Sequence, residues 1–255
     1  GKGANEGHYL ELTDWMKTLD LSEYAPSALS GFCEYPVGSK RYYATPCETD
    51  ALGFAYRKDL FEDAQEQVAF KAKFQRDLAV PQTWSELKDI AEFFTRPDKK
   101  LYGIALWNDS GQYDAVTMGF ESILWAWGGA FCDPQTFAVE GVLNSEQGIA
   151  ALEFFKQLNR FAPRTNSYFQ ECLDDHKSGR VAMSMNYFAF FPTYADPQQN
   201  PFAKVTGYFP CPKGPAGRFA SLGGQGMSII KYIAPEKQKL AKEFMAWFLK
   251  TENQL

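Results

Sequence analysis

The sequence predicts an α/β fold, because strand-like and helix-like patterns alternate along the chain. Short apolar runs such as LYGIALW, residues 101–107, are typical of the buried strands of parallel sheets. The 255 residues are 45% hydrophobic, which is enough for a packed core and allows one large domain or two smaller ones. No internal repeat and no low-complexity segment interrupts this pattern.

Charge and composition argue against two classes of partner. The formal net charge of −5 disfavours binding to nucleic acid through its phosphates. No uninterrupted apolar run approaches the ~18 residues that a membrane span needs.

The chain opens with GKGANEGHYLEL, which has neither an initiator Met nor the basic-then-apolar segment of a secretory signal. We therefore expect that processing has removed the residues before Gly1, or that Gly1 is a boundary within a longer chain.

The histidines and cysteines predict no metal centre, no cofactor and no catalytic residue. His8 and His176 are far apart and lack carboxylate partners at ligand spacing. No CxxC motif occurs. Cys33 and Cys47 flank a candidate hairpin, so they either form a disulfide or remain small buried side chains. At least one thiol is left free or pairs with another chain, because the cysteines are five: Cys33, Cys47, Cys132, Cys172 and Cys211.

The first predicted elements are short. Thr13 has the side chain of an N-cap ahead of a brief helix. Two short strands flank a turn-like segment at residues 37–40. The next strand, which starts at Tyr42, is interrupted by the sequence PCETD at residues 46–50. Consecutive polar residues are costly in a buried strand, so we expect the chain to be exposed there.

Helical patterns follow in the middle of the chain. Residues 57–78 are polar with spaced apolar positions and predict a helix. Thr83 and Glu86 then match a capping box that follows Pro81. The buried face predicted for that helix comprises Leu87, Ile90, Ala91 and Phe94. Residues 113–129 predict an apolar helix that starts at Tyr113 and stops at a Gly-Gly pair.

The last part of the chain predicts two more helices and two strand regions. Residues 178–191 read as a buried strand that runs into aromatic residues, and residues 208–230 as a Gly- and Pro-rich loop that leads into a strand. Asn144 and Gln147 have capping-box spacing. The helix after them is predicted to bury Ile149, Leu152, Phe155 and Leu158. The final helix, with a proline in its first turn, is predicted to bury Leu240, Phe244, Trp247 and Phe248.

An ordered series of segments resembles one protein family. YRKDLF, within YYATPCETDALGFAYRKDLFED, is similar to a Tyr-Arg/Asn-Lys-Asp-Leu-Phe pattern, and VPQTWSEL is similar to a Pro-x-Thr-Trp-x-Glu-Leu helix start. YLELTDWM, LYGIALW, WAWGGAF, SGRVAMSMNYF and LGGQGMSII match other landmarks in the right order. The series resembles the extracellular solute-binding proteins that deliver sugars to ATP-driven importers, the maltose-binding-protein-like group, over nearly the whole chain.

This resemblance implies a partial two-lobe fold of the periplasmic-binding-protein type II. Residues 1–49 would belong to the first lobe, residues 50–210 to the second lobe, and residues 211–255 would return into the first. Family members usually carry more of the first lobe before this point and a helical tail after it. We therefore expect a fragment, with one nearly complete lobe and pieces of the other. An incomplete lobe exposes apolar sheet surface, which predicts a tendency to dimerise.

The resemblance also implies a function. The protein would capture a carbohydrate or polyol ligand between its lobes and deliver it to the membrane permease subunits of an ABC importer, with no cofactor. Its location would be periplasmic or extracellular, with a lipid anchor in some relatives.

Four clusters are candidates for ligand contact, because aromatic rings cover the C–H faces of a sugar while carboxylates and amides bind its hydroxyls. The first cluster lies at the predicted crossing between lobes, and the alternative is an ordinary surface turn. The second follows a strand, where ligands of open α/β sheets bind, and the alternative is a plain loop with a half-buried Trp. The two clusters are Glu48, Thr49 and Asp50, and then Trp107, Asn108 and Asp109.

The third cluster ends another strand, and the alternative for its aromatic rings is core packing. In the fourth, glycines would let the backbone approach a ligand closely. The fourth is neither a P-loop nor a dinucleotide-binding fingerprint. The two clusters are Asn186, Tyr187 and Phe188, and then Gly223, Gly224 and Gln225.

Two other functions remain open at this point. A carbohydrate-active enzyme of the glycosidase type would use two carboxylates from among Glu48, Asp50 and Asp109 as acid and base. A signalling or structural domain would bind no small ligand. Glu121 is interpreted as a solvated or structural carboxylate.

Overall fold

The computed structural model of the protein describes residues 1–111 and 114–254 and has the α/β architecture that the sequence predicts. The chain forms two compact units. Unit 1 comprises Gly1–Asp50 and Leu222–Leu255, and unit 2 comprises Ala51–Ser221. Within the described residues, no helix is long and apolar enough to cross a membrane.

The helices and strands of the described residues are as follows. The α-helices are α1 (Lys2–Asn5), α2 (Thr13–Met16), α3 (Pro26–Ala28), α4 (Lys58–Glu62), α5 (Ala64–Phe74), α6 (Trp84–Phe94), α7 (Ala115–Ala126), α8 (Glu146–Asn159), α9 (Phe169–Lys177), α10 (Phe191–Ala195) and α11 (Pro235–Phe248). The strands are β1 (Thr45–Arg57), β2 (Tyr102–Ala105), β3 (Val181–Tyr187), β4 (Thr206–Pro210), β5 (Lys213–Gly214), β6 (Gly217–Arg218) and β7 (Leu222–Met227).

The main sheet has the strand order β2-β3-β1-β4, and β7 also pairs with β1. Strands β2 and β3 are parallel, whereas β1 is antiparallel to β3 and β4. Every residue of β3 is buried, as the sequence predicts for this apolar run. A strand covered on both faces needs apolar residues at consecutive positions, and α6 and α9 both pack on β3.

The capping box of α6 is confirmed. The Thr83 hydroxyl accepts a hydrogen bond from the Glu86 amide at 3.2 Å, and the Glu86 carboxylate accepts one from the Thr83 amide at 3.2 Å. The predicted buried face of this helix is also confirmed, because all four of its residues are fully buried: Leu87, Ile90, Ala91 and Phe94.

The predicted start and buried face of α8 are partly wrong. The N-cap is Ser145, whose hydroxyl accepts a hydrogen bond from the Gly148 amide, while Asn144 accepts one from the Gly141 amide. Ile149 and Leu152 are 56% and 47% exposed. The buried stripe contains small side chains in its first turns, which apolar periodicity does not detect, and comprises Gly148, Ala151, Phe155 and Leu158.

The predicted face of α11 is also wrong. Leu240, Phe244 and Trp247 are 63%, 53% and 52% exposed. Met245 and Leu249 are buried instead. The helix carries apolar residues on two sides, and the side with Met245 faces the small core of unit 1, which comprises Leu12, Met16, Ile229 and Met245.

Four other predictions need correction or limits. Residues Leu29–Cys33 form a π-helical turn rather than a strand, and Glu34 and Tyr42 form an isolated bridge. The predicted helix 57–78 is divided at Asp63, which caps α5. All cysteines are free, so Cys33 and Cys47 do not pair. Helix α7 ends before Gly128 as predicted, but Tyr113, at its predicted start, lies outside the described residues.

Residues 211–221 belong to unit 2. The reason is a set of contacts made within unit 2. The Cys211 thiol donates to the Leu52 carbonyl, and the Leu52 amide donates to the Ser221 carbonyl at 2.9 Å. The Ser221 amide in turn donates to the Ser122 hydroxyl at 2.8 Å. How the two units correspond to the lobes of the family fold stays a prediction.

Candidate functional site

The polar interruption of β1 lines a cavity within unit 1. The cavity has a volume of about 250 Å³ and is lined by Tyr24, Pro46, Cys47, Glu48, Thr49 and Gln254. The side chains of Glu48 and Thr49 are exposed and Asp50 is half-buried. The Tyr24 hydroxyl accepts a hydrogen bond from the Gln254 amide at 2.9 Å and donates to the Leu249 carbonyl at 3.0 Å. Sequence reasoning missed Tyr24 and Gln254, because they are 230 residues apart.

The glycines of β7 are explained by contacts inside unit 1. Gly224 has a φ of +136°, and a Cβ atom added to it would lie 2.3 Å from the Glu48 carbonyl oxygen. A Cβ on Gly226 would lie 2.4 Å from the Phe32 carbonyl oxygen. The absence of side chains therefore lets β7 lie directly against neighbouring backbone. Gly223 is half-buried and Gln225 is exposed, and ligand contact by either stays a prediction.

The second and third predicted clusters meet in unit 2. Because β2 and β3 are parallel, their carboxyl ends lie at the same edge of the sheet. Trp107, just after β2, contacts Tyr187, the last residue of β3, with ring centroids 5.1 Å apart. Tyr168 also packs on Trp107, with the centroids of the two rings 4.7 Å apart. The result is a cluster of three aromatic rings at the edge of the sheet.

The amides of these two clusters hold the edge together. Asn108 donates to the Asn159 side chain at 2.6 Å and to the Arg164 carbonyl at 2.9 Å, and accepts from the Ser167 amide. Asn186 is fully buried, donates to the Phe169 carbonyl at 3.1 Å and accepts from the Tyr187 amide. Both amide side chains therefore form hydrogen bonds with neighbouring backbone groups and stabilise this edge of the sheet.

The remaining members of these clusters lie nearer the surface. Asp109 accepts a hydrogen bond from the Gly111 amide at 2.7 Å and closes a turn. Phe188 is 38% exposed, and its ring lies against the backbone of Gly53, where an added Cβ would be 2.6 Å away. Phe188 therefore presents an aromatic surface beside the Trp107–Tyr187 edge.

Sequence reasoning also missed the placement of Glu121 on α7. A Cβ on Gly119 would lie 2.0 Å from the Trp107 carbonyl oxygen, so this glycine lets α7 approach the loop after β2. Glu121, two residues later, is half-buried. The Ser221 hydroxyl lies 2.6 Å from the Tyr187 hydroxyl. A single carboxylate within the apolar run MGFESILWAW was the signal available in the sequence.

The electrostatics of Glu121 follow from this position. The pKa of its carboxyl is raised above the ordinary value, chiefly by burial, with Ser221 opposing the shift and the nearby Asp114 adding to it. Among the residues that the structure describes, no group of three or more metal-ligating side chains could hold a metal ion.

The carboxylates considered for glycosidase chemistry are divided between the two units, since Glu48 and Asp50 belong to unit 1 and Asp109 belongs to unit 2.

The family model for bacterial extracellular solute-binding proteins matches residues 2–255. The chain belongs to this family. A mannitol-binding protein from Pseudomonas aeruginosa is 26% identical over 211 residues, which are 80% of this chain and 44% of that protein. The chain therefore spans less than half the length of this curated relative.

Solved structures of solute-binding proteins agree with the fold. An ABC transporter solute-binding protein from Agrobacterium radiobacter K84, in complex with ribitol, has a TM-score of 0.81 and 28% identity. That match covers 99% of this chain and 60% of the other. Maltose-bound MalE3 of T. maritima has a TM-score of 0.74 over 98% of this chain and 60% of the other, and at 24% identity it supports the fold alone. The predicted family and fold class are confirmed.

Proposed function

We propose that the protein is the substrate-binding component of an ABC importer and captures a sugar or polyol for import. The observation that carries the proposal is the edge of the unit 2 sheet, where aromatic rings lie beside hydroxyl and carboxyl groups. Phe188, which is 38% exposed, offers apolar surface next to the buried rings of Trp107 and Tyr187. The half-buried Asp109, two residues after Trp107, offers a carboxyl group at the same edge. This combination suits a ligand with C–H faces and a rim of hydroxyls.

The relatives support the same ligand class. The curated relative is named a mannitol-binding protein, and the solved relatives contain ribitol and maltose. All three are neutral compounds rich in hydroxyl groups. Unit 1 has a polar cavity of its own, with Glu48 and Thr49 in its lining, and such groups also suit hydroxyl-rich ligands. The predicted position of the ligand between two lobes stays a prediction.

Partners and location extend the proposal. The protein would act in the periplasm or at the cell exterior and pass its ligand to membrane permease subunits. It would bind without chemical turnover, since its family consists of binding proteins. Incubation with aryl glycosides tests this point, and release of the aryl alcohol would favour the glycosidase alternative instead.

The binding proposal is tested with D-mannitol, ribitol and maltose in a thermal-shift screen followed by calorimetric titration. A ligand that binds only the folded state stabilises it by about 2.7 kcal/mol at 100 times its Kd, which raises the melting temperature. Phe188→Ala is expected to weaken binding about 10-fold through lost ring contact. Phe137→Ala is the matched control, because Phe137 is 75% exposed elsewhere on unit 2. No shift with any of the three compounds would contradict the proposal.

A further inference from the structure

We infer that unit 2 carries a docking surface for a basic amphipathic helix of another protein, formed by α7, α8 and the segment between them. This inference goes beyond the proposed function, because the surface shares no residue with the aromatic edge of the sheet. Its basis is an apolar cavity of about 570 Å³. That volume lies within the ~300–1,000 Å³ of ordinary binding pockets. The lining of the cavity includes Phe120, Val139, Glu140, Leu143, Ile149 and Leu152.

The apolar side chains around this cavity are exposed. Val139, Ile149 and Leu152 line it and are 52%, 56% and 47% exposed. Phe137, two residues before Val139, is 75% exposed. Single exposed apolar residues are ordinary, whereas several beside one cavity mark an interaction surface. Removing them from water would favour association with an apolar partner.

The walls of the cavity are held by contacts within unit 2. A Cβ on Gly148 would lie 2.0 Å from the Leu143 carbonyl oxygen, so the segment before α8 lies directly against the first turn of that helix. The Leu143 amide donates to the Val139 carbonyl at 3.0 Å. Phe120 of α7 packs on Phe155 of α8, with ring centroids 5.7 Å apart. The cavity therefore exists before a partner arrives, which lowers the ordering cost of binding.

The arrangement of the lining suits a helix. Ile149 and Leu152 lie about one turn apart on the same side of α8, so the apolar lining follows the axis of that helix. Val139 and Leu143 line the cavity from the segment before α8. A partner helix fills a groove of this kind with apolar side chains that are spaced by three or four residues.

The charge of this surface selects a basic partner. Residues 101–155 contain seven acidic residues and no lysine or arginine, although the whole chain has 31 acidic and 26 basic residues. Glu140 lines the cavity, and both Glu140 and Glu146 are exposed. Neither has an ion-pair partner among the described residues, whereas Glu153 is paired with Lys156 at 2.8 Å. Lysine or arginine beside the apolar anchors would complement this acidic rim, and acidic residues there would be repelled.

The test is titration of fluorescently labelled model peptides with the protein, followed by fluorescence anisotropy. The peptides have about 18 residues, which is long enough to populate a helix. Two basic peptides carry leucine at positions i, i+3 and i+7 or at i, i+4 and i+7, with lysine and alanine elsewhere. Two acidic peptides carry glutamate in place of lysine. We expect at least one basic peptide to bind with a Kd of ~100 μM or lower, and its acidic counterpart to bind at least ~10-fold more weakly.

Two variants locate the contact. Leu152→Ala should weaken binding of the basic peptide ~10-fold, because an anchor contact is lost. Val68→Ala, which alters an apolar side chain of α5 that is 72% exposed, is the matched control and should leave binding unchanged. Glu140→Gln should weaken binding ~3-fold, as expected for loss of an exposed ion pair. Glu62→Gln, at an exposed carboxylate of α4, is the control for that change.

Three results of the titrations would overturn the inference. They are no binding of either basic peptide, equal binding of the basic and acidic peptides, and equal affinities of Leu152→Ala and Val68→Ala for the basic peptide. Sedimentation velocity tests whether a second copy of this chain occupies the cavity instead. We expect Leu152→Ala to leave the sedimentation of the protein unchanged. Self-association that Leu152→Ala abolishes would assign the cavity to a second copy and would also overturn the inference.

Discussion

His176 is a buried residue whose protonation is opposed by its surroundings. Its Nε2 atom lies 3.0 Å from the Thr206 hydroxyl, and that hydroxyl donates its own proton to the Phe202 carbonyl at 2.9 Å. Nε2 therefore carries the hydrogen and donates to Thr206. The Nδ1 atom is buried with no hydrogen-bond partner among the described residues. Burial and then the positive charge of Arg57 lower the pKa of His176 from 6.5 to about 3, and Asp59 opposes them.

This position makes the stability of unit 2 depend on pH. The unfolded chain takes up a proton at His176 below pH 6.5, whereas the folded protein does so only near pH 3. The stabilisation is therefore present above pH 6.5 and is lost as the pH falls toward 3, with a limiting slope of ~1.4 kcal/mol per pH unit. His176→Gln keeps a donor for Thr206 but cannot be protonated. Urea denaturation from pH 7.5 to 4 should show a shallower decline for the variant, and parallel curves would contradict this.

The cap of α6 permits a second test at the scale of one residue. Thr83→Ala removes the acceptor for the Glu86 amide and half of the capping box. We expect a loss of about 1 kcal/mol in the free energy of unfolding, since N-cap replacements cost about that amount. Thr117→Ala, at an exposed position inside α7, is the control and should cost less. Equal shifts of the urea midpoint for the two variants would show that the cap contributes nothing.

Residue types predicted some local contacts correctly, whereas contacts between distant parts of the chain stayed hidden. Short-range signals such as Thr83 with Glu86 were sufficient, because their geometry depends on a few neighbouring residues. The partner of Tyr24 is distant in the chain, so no local pattern indicates it. Asn108 and Asn186 had the right types for sugar binding, yet the same amides also serve buried backbone, and sequence cannot separate the two uses.

At the scale of elements, helix α6 packs so closely on β2 that a side chain has no room between them. A Cβ on Gly103 would lie 1.9 Å from the Ala91 carbonyl oxygen. Gly103→Ala should therefore separate the two elements and cost about 1–3 kcal/mol, as other overpacking changes do. Gly31→Ala is the matched control, because nothing lies within 4 Å of its added Cβ. A Gly103→Ala protein as stable as the control would contradict this packing.

Helix α8 shows why periodicity alone assigns a buried face incompletely. Two apolar stripes run along this helix, and the buried one begins with Gly148 and Ala151, which contribute little to an apolar pattern. Periodicity therefore selected the stripe with the larger side chains. The order of α6, α7, α8 and α11 was predicted well, because each of these helices had a start or stop signal in the sequence. Which face each helix buries depends on its neighbours in the fold, and those are not local information.

The two stripes of α8 differ in expected energetics. Leu158 is fully buried, so Leu158→Ala should lower the free energy of unfolding by about 2–5 kcal/mol through lost contact and a cavity. Leu152 is 47% exposed, so Leu152→Ala should cost less than about 1 kcal/mol. The two changes remove the same atoms from one helix, which makes each the control for the other. Equal costs in urea denaturation would mean that the assignment of the faces is wrong.

At the scale of the whole molecule, the exposed face of α11 predicts association between copies of this chain. Leu240, Phe244 and Trp247 form a contiguous apolar surface, with the rings of Phe244 and Trp247 5.8 Å apart. Surfaces of this kind mark interfaces more often than isolated exposed residues do. Sedimentation velocity over a range of concentrations should show reversible self-association. Phe244→Lys should weaken it about 10-fold or more, because a charge would have to be desolvated in the contact. Val68→Lys, at an isolated position that is 72% exposed, is the control, and a monomer at every concentration would contradict the prediction.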